Sequence, residues 1–261
     1  ATGPNKKPGG TEHLEPAFWD LTDLAGKSAR IEIVDRATGG WGHINIDHIV
    51  LTDTRPPMVL KDHEHALTVA KRFLRLPVSR SGRKARVSFL VDGTLVMDCD
   101  IQPADARPDT YADVDVSAWK GRLLVLQIDR ILETSQFFQN VAQADAIADP
   151  PGLYREKLRP QFHFTPKTNW TNDPNGLVWY KGEYHLFFQH NPYGLPWGNM
   201  TWGHAVSPDL VHWTELDDAI LPDRLGTIFS GSAVVDHENT AGFHTGPEKT
   251  IVCIYTSAGG T

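Results

Sequence analysis

The chain has few cysteines. Cys99 and Cys253 are two in 261 residues, too few for a disulfide framework or a thiolate metal site. The twelve histidines do not supply a metal site either. None forms an HExxH pattern, and His63 and His65 of "KDHEH" read as solvated loop residues. No metal and no cofactor is therefore expected. No run of eighteen apolar residues exists, so no membrane span is expected. Basic residues number 25 against 32 acidic ones, a formal net charge of −7, which argues against nucleic acid as a partner. The start, "ATGPNKKPGG", has neither an initiator Met nor an apolar leader and reads as a processed or excised beginning.

Long runs of 3.6-residue periodicity are also scarce, whereas apolar residues alternate almost everywhere. "ARIEIVD" (29–35) and "HINIDHIVLTD" (43–53) read as strands, followed by a boundary at the proline pair 56–57 and the charged "KDHEH". "RKARVSFLVDGTLVMDCDIQ" (83–102) reads as two strands around an Asp92-Gly93 turn of type I′, and "GRLLVLQID" (121–129) as another strand. The stretch "QADAIADPPGLYREKLRP" has the composition of a linker. Beyond it the strands shorten, turn signals multiply, and five of the eight tryptophans fall between 161 and 213. That texture suits a repeated-sheet architecture, propeller or sandwich.

The most informative stretch is "NWTNDPNGLVWYKGEYHLFFQHNP" (169–192). A β-turn alone could explain Asn172-Asp173-Pro174-Asn175-Gly176, since all these residue types favour turns. A turn does not explain the flanking Trp170 and Trp179, the following Gln189, or the "PYGLPWGNMTWGH" run with Trp197, Asn199 and Trp202. Aromatic faces stack on the C–H face of a sugar, and amides or carboxylates bond its hydroxyls. Pro174 and Gly176 would fix the Asp173 carboxylate at a strand end, aimed from the sheet rim into such a pocket. A carboxylate that attacks an anomeric carbon needs that restraint.

"RPQFHFTPKTNWTNDPNGLVWYKGEYHLFFQHNP", "WGNMTWGHAVSPDLVHW" and "IFSGSAVVD" resemble the first part of the catalytic domain of glycoside hydrolase family 32, which includes invertases, inulinases and levanases. The resemblance covers 159–261. It implies an all-β chain: β-sandwich modules followed by the first blades of a truncated five-bladed β-propeller. It also implies hydrolysis of β-fructofuranosidic bonds in fructans or sucrose with retention, levan-type substrates being favoured. Asp173 matches the family's nucleophile. Asn172, Gln189 and Trp197 match residues that bind the fructosyl unit, Phe229 and Ser230 match the next pocket element, and Trp170 joins them as a substrate-binding residue. Thr171 stands where many members carry Met.

Residues 1–58 resemble the closing strands of a jelly-roll, carbohydrate-binding-like module, in which Trp19 and Trp41 would stack on sugar or fill the core. Residues 59–148 are similar to the small β-sandwich of levanase-type enzymes, 149–160 form the linker, and 161–261 begin the propeller. The family's Arg-Asp-Pro motif and its Glu-Cys acid/base pair do not occur here. Glu183, Glu215 and Glu238 read as solvated loop charges, and His204 as a hydrogen-bonded structural residue. The chain is thus expected to be inactive alone, an N-terminal piece of a secreted or periplasmic enzyme. A fructoside-binding protein without turnover and a fructosyl transferase are the rival readings.

Overall fold

The computed structural model describes residues 18–34, 36, 44–47, 49–53, 60–147 and 149–259. The chain divides into two units, Ala1–Val59 and Leu60–Thr261.

Among the described residues of the first unit, the only regular element is a 3-10 turn at Thr22–Leu24, begun where the Thr22 N–H donates to Asp20 Oδ1 at 3.0 Å. Among the described residues of 29–35 and 43–53 the alternation produces no strand, and Ile31, Ile33, Ile46 and Ile49 are exposed. Alternation states which side chains a sheet would bury, but the strand itself needs a hydrogen-bonded neighbour. Trp19 is exposed, and Trp41 lies outside the described residues.

The second unit opens with seven strands: β1 (Leu60–Thr68), β2 (Phe73–Val78), β3 (Ala85–Val91), β4 (Thr94–Ile101), β5 (Thr110–Asp115), β6 (Leu123–Leu132) and β7 (Ala142–Ala144). They form two antiparallel sheets, ordered β1-β6-β3-β4 and β5-β2-β7. Along β3, Val87, Phe89 and Val91 are buried while their neighbours are not, the period-2 signature of a sheet with one face inward. They meet Leu74 and Leu76 of the opposite sheet, with Leu124, Leu126 and Phe137, in one core. Asp92 and Gly93 have φ of 50° and 76°, as a type I′ hairpin requires. His63 and His65 lie on β1, not in a loop. His65 stacks on Phe138 at 5.3 Å, so its alternation was that of a strand.

A second set of strands follows: β8 (Trp170–Tyr180), β9 (Glu183–Asn191), β10 (Thr201–Ser207) and β11 (Thr214–Ile220). Their order β11-β10-β9-β8 is an antiparallel meander, the form of one propeller blade. β12 (Thr227–Asp236) and β13 (Thr250–Ala258) make the hairpin of the next sheet. β9 is buried over its last seven residues, in which the apolar Leu186, Phe187 and Phe188 are flanked by the buried polar His185, Gln189, His190 and Asn191. Phe187 of β9, Trp202 of β10 and Ile228 of β12 bury together and join the meander to the hairpin. "SPDLVHW" makes a structural turn. Ser207 Oγ accepts from Leu210 N–H, Asp209 Oδ1 accepts from Val211 and His212 N–H, and Trp213 packs against Phe164.

Candidate functional site

"NDPNG" is not a turn. It lies inside β8, which carries two one-residue bulges against β9. Thr171 pairs with His190 and Pro174 with Phe188, so three steps along β8 match two along β9. Asn175 pairs with Phe187 and Val178 with His185, which repeats the mismatch. The first bulge sets Asn172 and Asp173 opposite Gln189. The second contains Gly176 at φ 48°, where a Cβ would stand 2.9 Å from both Ala233 and Phe187. Glycine there permits both the left-handed backbone and the close approach of β12.

β12 has a bulge of its own. Ile228 pairs with Ser257 and Gly231 with Tyr255, leaving Phe229 and Ser230 opposite Thr256. The two irregularities face each other and open a concavity of about 330 Å³ lined by Asn172, Asp173, Gln189, Trp197, Met200, Phe229, Ser230 and Thr256. Bulges re-aim side chains and interrupt pairing beside active sites. Here one supplies the acid, the other its partner.

Ser230 Oγ donates to Asp173 Oδ2 at 2.8 Å, and Asn172 Nδ2 approaches Asp173 Oδ1 at 3.4 Å. Asn175, buried beneath, accepts the Gly231 N–H at 3.2 Å and so ties the two bulges together. The Trp202 indole donates to the Phe229 carbonyl at 3.0 Å, and Ile228 N–H to the Met200 carbonyl at 2.8 Å. Gln189 is 2 % exposed, and its Nε2 has no protein partner. A buried amide donor without a partner is costly unless a ligand or water satisfies it. Trp197 and Phe229 meet edge to face at 6.2 Å, with both rings partly open to solvent. The concavity thus offers one carboxylate, an amide donor, an Asn, two hydroxyls and two ring walls. This is a donor set for a small polyol with apolar C–H faces.

Of the residues the sequence singles out, Asn172, Asp173, Gln189, Trp197, Phe229 and Ser230 all line this space. Trp170 does not: it is on β8 opposite Asn191, its N–H bonded to the Gly194 carbonyl. The strand's alternation and the first bulge separate it from Asp173. Trp179 packs edge to face on Tyr184, away from the concavity. Asn199, grouped by sequence with the sugar-type residues, bonds instead to Asp100 of β4. Met200 and Thr256 were missed. Only the β12–β13 pairing reveals Thr256, and a lone Met gives no polar signal.

Glu215 is no solvated loop charge. It is half-buried on β11 and accepts the Lys167 N–H at 2.6 Å, and burial raises its pKa. Neither it nor Glu183 nor Glu238 lines the concavity. His204 stacks on Phe187 at 4.5 Å and bonds His185 at 3.1 Å. Burial first, and the neighbouring imidazole second, lower its pKa to about 4. His190 is opposite in sign. Burial alone would lower its pKa, but the Asp218 carboxylate at 2.9 Å, the Thr168 carbonyl and Glu215 together outweigh burial and raise it. Its other nitrogen faces the Thr168 carbonyl at 3.3 Å. Among the described residues, no cluster of three or more His, Cys, Asp or Glu could hold a metal.

Residues 163–259 match the family model described as Glycosyl hydrolases family 32 N-terminal domain. The chain is 67% identical over 111 residues to a levanase of Bacillus subtilis (strain 168), covering 42% of this chain and 16% of that protein. It is 50% identical over 109 residues to an extracellular exo-inulinase of Aspergillus awamori, covering 40% and 20%. A solved family 32 glycoside hydrolase from Bifidobacterium adolescentis aligns over 68% of this chain and 32% of its own, with 30% identity and a TM-score of 0.35. The chain therefore spans at most 20% of the length of the two curated relatives. Over residues 163–259 the chain is thus similar to the N-terminal domain of the glycosyl hydrolases of family 32.

Proposed function

We propose that this chain supplies the nucleophile and fructosyl-binding side of a retaining β-fructofuranosidase, with Asp173 as the attacking carboxylate. One observation carries the reading: Asp173, held by Ser230, stands in the same ring-walled concavity as the unpartnered Gln189 amide. In a double displacement, an Asp173 oxygen bonds the anomeric carbon of fructose as the glycosidic C–O bond breaks. An acid protonates the departing oxygen, and water then cleaves the ester. Asn172 and Gln189 would hold hydroxyls, and Trp197 would cover a sugar face.

That mechanism needs a second carboxyl about 5–5.5 Å from the first. Asp173 is the one carboxyl lining the concavity among the described residues. We take the acid to come from outside this sequence and the 261-residue chain to bind without turning over. Levan is the favoured substrate, supported by the 67% identity to a levanase, and the site of action would then be extracellular. The single carboxyl also favours a second reading, a fructoside-binding protein that never hydrolyses.

Titration calorimetry of the chain with fructose and short levan oligosaccharides should show saturable binding, while a reducing-sugar assay shows no release. Absence of binding would remove the proposal. In a protein that joins this segment to an acid carboxyl, Asp173→Asn should end fructose release with the fold intact. Retained release would reject Asp173 as nucleophile, and an inactive parent would favour the binding reading.

A further inference from the structure

The loop from Pro192 to Met200 carries Trp197 and Met200 into the concavity, yet it is fastened to the two-sheet module rather than to the blade alone. Tyr193, 7% exposed, is buried in the core formed by β2–β6. At the loop's far end, Asn199 bonds one residue of β4 twice. Its Oδ1 accepts from the Asp100 N–H at 2.8 Å, and its Nδ2 donates to the Asp100 carbonyl at 2.8 Å. β4 is the edge of its sheet, and the Asn199 carboxamide occupies the main-chain groups that a further strand would take. Asn199 Nδ2 also donates to Asn191 Oδ1 at 2.9 Å. That oxygen accepts from Tyr193 N–H at 3.0 Å, and Asn191 Nδ2 donates to the Pro196 carbonyl at 2.8 Å. Asn199 has φ of 46°, a left-handed conformation that Asn tolerates and that aims its amide at β4.

We propose that Asn199 is a positioning residue for the sugar site, through which the two-sheet module fixes the Trp197 wall. Every polar atom of its carboxamide is engaged with Asp100 or Asn191, so it does not face a ligand. Trp197, two residues away, is more than half exposed and has one ring neighbour among the described residues, Phe229. Its placement therefore depends on the ends of the loop. On this view residues 60–144 act as a structural part of the sugar site. The proposal rests on the fructoside reading of the concavity, and its test separates the two.

The test uses the 261-residue chain with 15N-labelled tryptophan, the Trp197 indole signal being assigned by Trp197→Phe. Asn199→Gly keeps the left-handed backbone and deletes only the amide. It should displace or broaden the Trp197 signal, leave the Trp119 and Trp213 signals in place, and weaken fructose binding about tenfold. Asn199→Asp keeps the acceptor for Asp100 N–H but sets a carboxylate against two oxygens. It should behave the same way and supplies the reading if the glycine variant fails to fold. An unmoved Trp197 signal in a folded variant overturns the proposal, as does an equal shift of all three tryptophans in both variants, which makes Asn199 a residue of general stability. A parent chain that binds no fructose, but whose Trp197 signal still responds to Asn199, keeps the positioning role and rejects the fructoside reading.

Discussion

Ser230 and Asp173, fifty-seven residues apart and on different sheets, share a 2.8 Å hydrogen bond across the mouth of the concavity. Neither side chain would face the other without a bulge in its own strand. The bond fixes one carboxylate oxygen and leaves the other beside Asn172. Ser230→Ala should thus loosen the acid without creating a large void. Calorimetry should show fructose binding weakened by about 1 kcal/mol, the net worth of one such bond. An unchanged affinity would mean that Asp173 is held by other groups.

Trp197→Ala tests the ring wall. If the indole covers a sugar face, fructoside affinity should fall by roughly 1–3 kcal/mol, the range for a buried aromatic contact. Trp170→Ala should leave affinity unaltered, because Trp170 lies outside the concavity. Equal losses in the two variants would contradict the geometry.

Two histidines of the blade give opposite pH limbs. The His204 pKa is lowered to about 4 in the fold, against the usual 6.5. Its contribution to stability is fully present above about 6.5 and is lost as pH falls from there toward 4. The His190 pKa is raised, so its contribution is full below its ordinary value and is lost as pH rises through the folded one. Thermal melts across pH should show a broad maximum flanked by two declines. His204→Phe should flatten the acid limb and His190→Gln the alkaline one. A melt profile insensitive to both substitutions would count against the assigned shifts.

Gly203 admits no side chain, since a Cβ there would stand 2.3 Å from the Phe188 ring. Phe188 is buried against Phe164, so the ring has little room to yield. Gly203→Ala should cost about 1–3 kcal/mol in urea denaturation, the range for overpacking. Gly242→Ala meets no atom within 4 Å, although its φ of 74° adds backbone strain. It should cost less.

The sequence disclosed β3, β4 and β6 through their apolar alternation and the hairpin chemistry of Asp92-Gly93, and the short strands beyond the linker, whereas β1, where "KDHEH" reads as a loop, and β2, β5 and β7 were not disclosed. It disclosed six of the eight residues lining the concavity, by resemblance and by their sugar-type chemistry. Three further things were not legible. Alternation in 29–35 and 43–53 specified a face but no partner strand, and no strand forms among the described residues there. "NDPNG" has the composition of a turn, and only its pairing with β9 shows two bulges in a continuous strand. Asn199 is chemically indistinguishable from a sugar ligand until its amide is seen on Asp100.

The paired bulges of β8 also limit how this segment can change in length. Strand side chains alternate sides, so each extra residue reverses which side the following ones face. Two extra residues restore the original phase, so Val178 through Tyr180 keep the facing that Trp170 and Thr171 began. Removing a single residue between 172 and 177 would erase one bulge, and with it either the doubled set of side chains opposite Gln189 or the close approach of β12 at Gly176. Loops of this protein can tolerate insertions and deletions. These six positions should tolerate substitution by similar residues, but not a change in their number.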